Sequence, residues 1–335
     1  MKSRIHDVAE RAGVSMKTVS RVLNQEPNVA DKTRERVLEA ARELRYTPNL
    51  AARGLAASKS YLVALLYDSV SPSYLLKVQQ GATNICQEKG YHLIVHPLRG
   101  SKQMSRDDIM TMLERLPVDG IILTSPLSEN EALISVLTEL KIRYIAIGAS
   151  TDTGAPVGPA IDNRSAAEDM TRFLIKSGHR DIGFIMGDPA HISARLRYEG
   201  FKAEMNAHGL AINSEWVAQG DYSFMSGEAA ARDIFSRAER PTAIFASNDD
   251  MAAGVMAIAG QMGISVPDDL SIGGFDDTAT ASTVWPRLST IRQPARDMGA
   301  RAADFLISST PNMTEPQDNF SYEHHLIIRE STKTI

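Results

Sequence analysis

Two patterns of hydrophobic and polar positions divide the chain near residue 60. Beyond it, short apolar runs such as Leu62–Tyr67 and Gly120–Thr124 alternate with longer stretches in which apolar residues recur every three or four positions. The short runs are typical of buried strands and the longer stretches of amphipathic helices. So many strands exceed the usual size of one sheet, which predicts an α/β core of two doubly wound parallel sheets with a cleft between them. The further strand candidates are His92–His96, Tyr144–Gly148, Val157–Ile161, Ile182–Met186, Ala243–Ala246, Leu270–Gly273 and Leu326–Ile328.

The first 60 residues have the spacing of short helices. Gly13 can adopt a positive φ between the first two, and Ser15 can cap the second. Two short helices joined by a glycine-containing turn and braced by a third predict an N-terminal, all-α helix-turn-helix domain. The residues expected to face its core are Ile5, Val8, Ala9 and Ala12, then Val19, Val22 and Leu23, then Val37, Leu38, Ala41 and Leu44.

A linker follows the third helix. Pro48 disfavours the α conformation in the residue before it, so the helix is expected to end there. Leu50–Ala57 is helical in composition, but it is short and carries Gly54, which predicts a marginal hinge helix. Thr310–Phe320, rich in Pro, Asn and Asp, is a predicted loop. The predicted domains are 1–48, a hinge at 49–60, and a core at 61–335 with halves at about 61–161 plus 291–321 and about 162–290 plus 322–330.

The composition is that of a globular protein. Of 335 residues, 43% are apolar and 23% are charged, close to the averages for such proteins. The single cysteine, Cys86, cannot form an intramolecular disulfide, which is typical of a reducing compartment. The N-terminus has no apolar signal region, and the longest near-apolar stretch, Met251–Gly260, is far shorter than the ~18 residues of a membrane helix. We therefore expect a soluble cytoplasmic protein with no membrane contact.

Charge is distributed unevenly along the chain. Residues 1–60 carry 12 Lys and Arg against 7 Asp and Glu, whereas the remaining 275 carry 24 against 34. Because phosphate contacts supply much of the affinity for nucleic acids, the basic N-terminal unit is the part expected to meet DNA.

The sequence lacks the usual motifs of enzymes and metal sites. It contains no Walker A loop, no GxGxxG, no GxSxG, no HExxH and no CxxC. His179-Arg180-Asp181 copies a kinase catalytic-loop triplet, but the Gly-rich loop and the Asp-Phe-Gly that a kinase needs are missing. We therefore predict no catalytic residue, no metal site and no cofactor.

The N-terminal unit resembles the DNA-binding signature of the LacI/GalR repressor family. The run from Ile5 to Asn24, IHDVAERAGVSMKTVSRVLN, carries the resemblance, and Thr33–Val37 and Tyr46–Asn49 fit it as well. It implies a transcription regulator that binds pseudo-palindromic operator DNA as a homodimer. It also implies a periplasmic-binding-protein-like core and a small-molecule effector, most often a sugar that releases the repressor of a carbohydrate-utilisation operon. No leucine-rich tail follows the last predicted strand, so we expect a dimer rather than a tetramer.

The second helix is the predicted recognition helix. Its first residues are expected in the major groove, where Lys17 and Arg21 can donate to guanine O6 and N7 and Met16 can contact a thymine methyl group. In the family a hinge leucine enters the minor groove, and Leu55 holds the matching position here. We hypothesise that effector binding melts the hinge helix and withdraws this leucine. Ser20 shares the reading face, and the short polar groups suited to phosphates are Ser15, Thr18 and Asn24.

The resemblance also implies an effector site at the carboxyl ends of the core strands. Arg197 matches the position that grips the effector in the family, and Tyr222 matches an aromatic residue that lies against it. Because residues two apart on a helix differ by about 200°, Arg195 is predicted at the surface. Carboxylate, amide and guanidinium groups suit paired sugar hydroxyls. The other predicted effector contacts are Tyr74, Asp162, His191, Ser193, Asn248 and Asp276.

Three alternatives fit parts of the sequence. The effector could be a non-sugar metabolite such as a nucleobase, although an aromatic residue among many polar groups favours a carbohydrate. Asp276 and Asp162 could form the acid pair of a glycosidase, but a helix-turn-helix has no use in hydrolysis. A sugar-binding protein of a transport system fits the core alone, and the DNA-binding unit and the absent signal region contradict it.

Overall fold

A computed structural model describes residues 3–23, 29–46, 59–68, 71–98, 100, 104–148, 158–308 and 320–335. The chain forms two compact units, Met1–Tyr61 and Leu62–Ile335. Within the described ranges, no helix combines the length and apolarity needed to cross a bilayer. The predicted DNA contacts Asn24 and Leu55, the hinge helix, and all but the last residue of the predicted loop 310–320 lie outside the described residues.

The N-terminal unit contains the predicted helix-turn-helix. Helix α1 is Ile5–Ala12, α2 is Met16–Leu23 and α3 is Asp31–Glu43. Gly13 has a φ of 63°, and its N–H donates to the carbonyls of the last turn of α1. A side chain rarely adopts this backbone conformation, so glycine is what allows the sharp turn into α2.

The core of this unit corrects one prediction. Val37, Ala40 and Ala41 of α3 are buried against α1 and α2, whereas Leu38 is 39% exposed. The prediction that Leu38 points inward was wrong because it lies 100° around the helix from Val37, while Ala40 and Ala41 follow Val37 at i+3 and i+4.

The core unit is built on two parallel sheets, as predicted. The first has the order β2-β1-β3-β4, and all its strands are parallel. Helix α12 (Ala295–Ser308), which comes late in the chain, packs on α4 (Pro72–Glu88). The two helices are so close that a Cβ at Gly299 would lie 2.2 Å from a backbone oxygen of α4. We call this sheet and its helices the four-stranded half. Its elements are β1 Leu62–Tyr67, α4 Pro72–Glu88, β2 His92–Pro97, α5 Arg106–Glu114, β3 Gly120–Thr124, α6 Glu131–Glu139, β4 Tyr144–Ile147 and α12 Ala295–Ser308.

The second sheet defines what we call the six-stranded half. Its order is β12-β10-β9-β8-β6-β7, and β12 is the antiparallel strand at one edge. A short parallel pair, β5 Ala160–Ile161 with β11 Ser321–Tyr322, lies apart from both sheets. The elements are α7 Asn163–Lys176, β6 Ile182–Met186, α8 Ile192–Ala207, β7 Val217–Gln219, α9 Phe224–Phe235, β8 Ala243–Ala246, α10 Asp249–Gln261, β9 Ser271–Asp276, α11 Ala279–Thr283, β10 Ser289–Arg292 and β12 His325–Ile327.

Three strands escaped prediction. Strand β7 is three residues long at a sheet edge, β10 has the half-polar sequence STIR, and β11 has two residues. None forms an apolar run, although all but the last residue of β10 are buried by the neighbouring strands. Burial by neighbours is a tertiary effect that local hydrophobicity does not report.

Candidate functional site

Helix α2 presents the polar face that the sequence predicts for DNA. Val19 and Val22 are buried, while Met16 is 51% exposed and Lys17 is also exposed. Ser20 and Arg21 are half-buried. The helix therefore offers one solvent-facing surface from its first turn onward, with a long apolar and a cationic side chain at its start.

Two of the predicted phosphate contacts cap this helix. The Ser15 hydroxyl accepts the Thr18 backbone N–H at 3.1 Å and lies 2.9 Å from the Thr18 hydroxyl. Side-chain capping of this kind stabilises the first turn of a helix. The two hydroxyls thus fix the start of α2.

A pocket lies between the two halves of the core, at the carboxyl ends of their strands. The four-stranded half contributes hydroxyl groups from Ser71, Tyr74 and Ser125, and the other half contributes most of the charge and amide groups. Six of the eight predicted effector contacts line it: Tyr74, His191, Ser193, Arg197, Tyr222 and Asp276.

Arg197 is held in place at the base of the pocket. Its Nε donates to Asn163 Oδ1 at 2.9 Å and its Nη1 to the Ser247 carbonyl at 2.5 Å. The guanidinium lies 3.5 Å from the ring centre of Phe275. Arg195, by contrast, is exposed and pairs with a glutamate one turn along α8. The predicted division of the two arginines between cleft and surface is confirmed.

Asp276 is the acidic group of the pocket. Its Oδ1 accepts a hydrogen bond from Gln293 and lies 3.9 Å from Arg197 Nη2. Burial raises the pKa of the Asp276 carboxyl to about 6, although the charge of Arg197 and the hydrogen bond from Gln293 act in the opposite direction. The carboxylate is therefore charged at neutral pH and is poorly hydrated, which favours a ligand that donates hydrogen bonds.

Tyr222 forms one wall of the pocket. Its hydroxyl lies 3.2 Å from that of Ser193, and its ring meets the His191 ring edge to face with centres 5.2 Å apart. The ring lies over Gly187, where an added Cβ would be 2.1 Å from it. The backbone of Tyr222 has a φ of 70°, so the aromatic wall depends on both a strained turn and a missing side chain.

Asp162 and Asn248 lie outside the pocket lining. Asp162 is exposed and caps α7 by accepting the Ser165 N–H at 3.0 Å. Asn248 is buried, caps α10 through its Oδ1, and donates from Nδ2 to the Tyr222 carbonyl at 2.9 Å. Both follow strands and were predicted as contacts for that reason, but residues at this position are also where helices need caps. Asn248 acts on the pocket by holding the Tyr222 turn.

Sequence reasoning missed four polar side chains of the pocket, namely Ser71, Ser125, Asn163 and Gln293. Asn163 lines it in place of its neighbour Asp162, and Gln293 follows β10, which was not predicted. Had the strand been recognised, the rule that ligands bind beyond carboxyl ends of strands would have pointed to Gln293.

Asp249 does not line the pocket, but its carboxyl group holds the turn that carries Asp276. It is fully buried and accepts hydrogen bonds from the backbone and hydroxyl of Thr278, at 2.6 and 3.0 Å, and from the Thr290 hydroxyl at 2.6 Å. Burial and the nearby charge of Asp276 raise its pKa to about 8. These bonds tie the turn after β9 to the strand beside it, which fixes the position of Asp276.

Both units of the chain match known protein families. Residues 4–49 match the family described as bacterial regulatory proteins, lacI family, and residues 171–332 match a periplasmic binding protein-like domain. Catabolite control protein A of Priestia megaterium is 33% identical over 99% of this chain and 100% of its own length. The repressor PurR of Erwinia tasmaniensis is 33% identical over 98% of this chain and 96% of its own length.

Solved structures agree with these relatives. A lac repressor dimer bound to operator and the anti-inducer ONPF superposes with a TM-score of 0.81 at 28% identity, covering 99% of this chain and 100% of that one. A CelR–cellobiose complex gives 0.71 at 28% identity, covering 98% and 100%. A helix-turn-helix unit followed by a periplasmic-binding-protein-like core defines a DNA-binding transcription regulator. This chain belongs to the LacI family.

Proposed function

We propose that the protein represses a carbohydrate-utilisation operon, binds a pseudo-palindromic operator as a homodimer, and leaves it when a sugar occupies the pocket between the two halves. The observation that carries the sugar assignment is the Arg197–Asp276 pair beside the ring of Tyr222. Paired donors and acceptors next to an aromatic face suit a pyranose, which has hydroxyls at its edge and apolar C–H faces.

The remaining hydrogen-bonding capacity of Arg197 and Asp276 supports the sugar assignment. Among the described contacts, Arg197 uses two of its five N–H donors on protein oxygens, and Asp276 Oδ2 accepts from no described residue. Buried polar groups normally have partners. Sugar hydroxyls, which both donate and accept, would complete both side chains at once.

The relatives support the same proposal. The structural neighbours include a regulator in complex with cellobiose and the lac repressor bound to ONPG. The neighbour bound to operator is a dimer. In this chain α2 would read the operator with Met16, Lys17, Ser20 and Arg21, and two symmetry-related copies would read the two half-sites.

The position of Asp162 argues against a glycosidase. The acid pair considered from the sequence needs Asp162 and Asp276 on opposite sides of one ligand. Asp162 is exposed at the start of α7 and does not line the pocket that contains Asp276. We therefore assign the pocket to binding, and expect no turnover of aryl glycosides.

A ligand screen tests the proposal. The full-length protein is heated with neutral sugars, phosphosugars, uronates and nucleobases, because a ligand of the folded state raises the unfolding midpoint. We expect a neutral sugar to raise the midpoint and to release labelled operator DNA in the same concentration range. A nucleobase that did both, while the sugars did neither, would contradict the sugar assignment.

A further inference from the structure

Side chains at the start of helix α4, in the four-stranded half, form hydrogen bonds with the six-stranded half. The Ser71 hydroxyl donates to Asp250 Oδ2 at 2.8 Å, and the Ser73 hydroxyl lies 3.5 Å from Oδ1 of the same carboxylate. Asp250 belongs to α10, at the start of a helix of the six-stranded half. The start of α4 is therefore hydrogen-bonded across the mouth of the pocket.

Lys77, one turn further along α4, makes a second contact of this kind. Its Nζ donates to the backbone carbonyl of Asp277 at 2.5 Å and lies 3.4 Å from the carbonyl of Asp276. Because Ser73 and Lys77 are four residues apart, they share one face of the helix. That face is directed at the turn that carries the acidic group of the pocket.

The turn reached by Lys77 is strained. Asp276 has a φ of 105° and Asp277 a φ of 47°, conformations that side chains other than glycine rarely adopt and that persist when their surroundings hold them. Within the six-stranded half, Arg292 and Arg329 bind the Asp277 carboxylate at 2.6 and 2.5 Å. Lys77 binds the backbone carbonyls of Asp276 and Asp277 from the four-stranded half.

We propose that Lys77 is a positioning residue for effector recognition: it holds the Asp276–Asp277 turn from across the cleft, so that the Asp276 carboxylate takes its ligand-binding position when the two halves are closed. This inference rests on the proposed function of the pocket. It makes closure and recognition one event, because opening the cleft separates Lys77 from the turn. Effector binding at Asp276 then favours closure, and closure draws α4 toward the six-stranded half.

The test measures the distance between the halves in the full-length dimer. Glu131 and Arg195 are exposed at the starts of α6 and α8, on opposite halves, and can be replaced by cysteine. The native Cys86 is buried, so spin labels react at the introduced sites. Labelled chains are diluted with unlabelled chains so that distances are measured within one subunit by pulsed electron paramagnetic resonance.

The variant is Lys77→Met, and Lys89→Met is its control. Lys89 ends the same helix and pairs with Asp304, within the four-stranded half. We expect Lys77→Met to lengthen the label distance in the effector-free protein and a saturating sugar to restore the wild-type distance. The apparent Kd for the sugar should rise by the factor by which the closed fraction falls, about tenfold if that fraction falls to a tenth of its wild-type value, because affinity scales with the closed fraction. Lys89→Met should change neither quantity.

Each outcome decides a separate question. A wild-type distance in effector-free Lys77→Met would overturn the inference, whatever the ligand. A lengthened distance that saturating sugar does not restore would also overturn it, since Lys77 would then hold the fold rather than position the binding group. If the wild-type protein binds none of the sugars, the proposed function fails, while the effector-free distance still decides the role of Lys77.

Discussion

The side chains of Arg197 and Asp276 face each other with 3.9 Å between Nη2 and Oδ1, and each is 6% exposed. At this separation opposite charges attract, but no direct hydrogen bond forms. The pair is thus near enough to neutralise its own charge and far enough apart to leave hydrogen-bonding capacity for a ligand. A neutral molecule with adjacent hydroxyls meets both requirements, because it adds no charge to the buried pair.

Asp276→Asn should weaken effector recognition and leave operator binding near that of the wild type. The charged acceptor contributes about 1.5–3 kcal/mol to a hydrogen bond with the ligand, so the Kd for the sugar should rise roughly tenfold to a hundredfold. Titration calorimetry measures the sugar affinity, and gel shift measures operator affinity. Asp162→Asn is the control, since Asp162 caps α7 outside the pocket, and a normal sugar response in Asp276→Asn would contradict the assignment.

Gly187→Ala should displace the aromatic wall. The added Cβ would lie 2.1 Å from the ring of Tyr222, so the ring must move, and overpacking of this kind costs about 1–3 kcal/mol. We expect at least a tenfold loss of sugar affinity in a protein that still folds and binds operator. Gly260→Ala is the matched control because its Cβ meets nothing within 4 Å. Equal sugar affinity in the two variants would show that Tyr222 does not form the binding wall.

Sugar binding should weaken as the pH falls through about 6. Burial raises the pKa of Asp276 to about 6, so the carboxylate that accepts sugar hydroxyls becomes protonated below that pH. Calorimetry between pH 5 and 8 should show a constant Kd at the upper end and a rise of up to about tenfold per pH unit below the pKa. In Asp276→Asn this dependence should disappear. Tighter binding at pH 5 than at pH 8 would mean that the ligand prefers the protonated acid.

Arg21→Ala should relax operator specificity. A guanidinium that reads guanine contributes about 1–3 kcal/mol of discrimination at one base pair in each half-site. Affinities for the operator and for single-base variants of it test this. Arg11→Ala is the control, because Arg11 is exposed and pairs with Glu43 on the neighbouring helix. Equal weakening on every sequence would make Arg21 a phosphate contact instead.

The elements that the sequence predicts well are those whose burial comes from their own pattern. The strands Leu62–Tyr67 and Gly120–Thr124 are continuous apolar runs, and the structure has them with the same bounds. Strand β10 is buried by its neighbours instead, so its polar sequence concealed it, and Gln293 at its end was missed with it.

The residues of the site also differ in whether the sequence could predict them. Arg197 could be placed in the cleft because it matches the position that grips the effector in the family, and helical geometry then placed Arg195 at the surface. Lys77 could not be found, because its partners are backbone carbonyls about 200 residues further along the chain. Every residue has a backbone carbonyl, so the sequence does not show which one accepts a hydrogen bond. Nor does it show that α4 and α10, from different halves, lie close together. Local spacing predicts which face a residue lies on, whereas contacts across a cleft require the fold.

The most direct test of the account follows operator release in one experiment. Fluorescently labelled operator is bound to the wild-type protein, to Asp276→Asn and to Asp162→Asn, and anisotropy is recorded as the sugar from the ligand screen is added. We expect equal anisotropy for all three proteins before addition, followed by release of the operator from the wild type and Asp162→Asn and its retention by Asp276→Asn. Release from Asp276→Asn at the wild-type sugar concentration would contradict the claim that this pocket controls the DNA-binding unit.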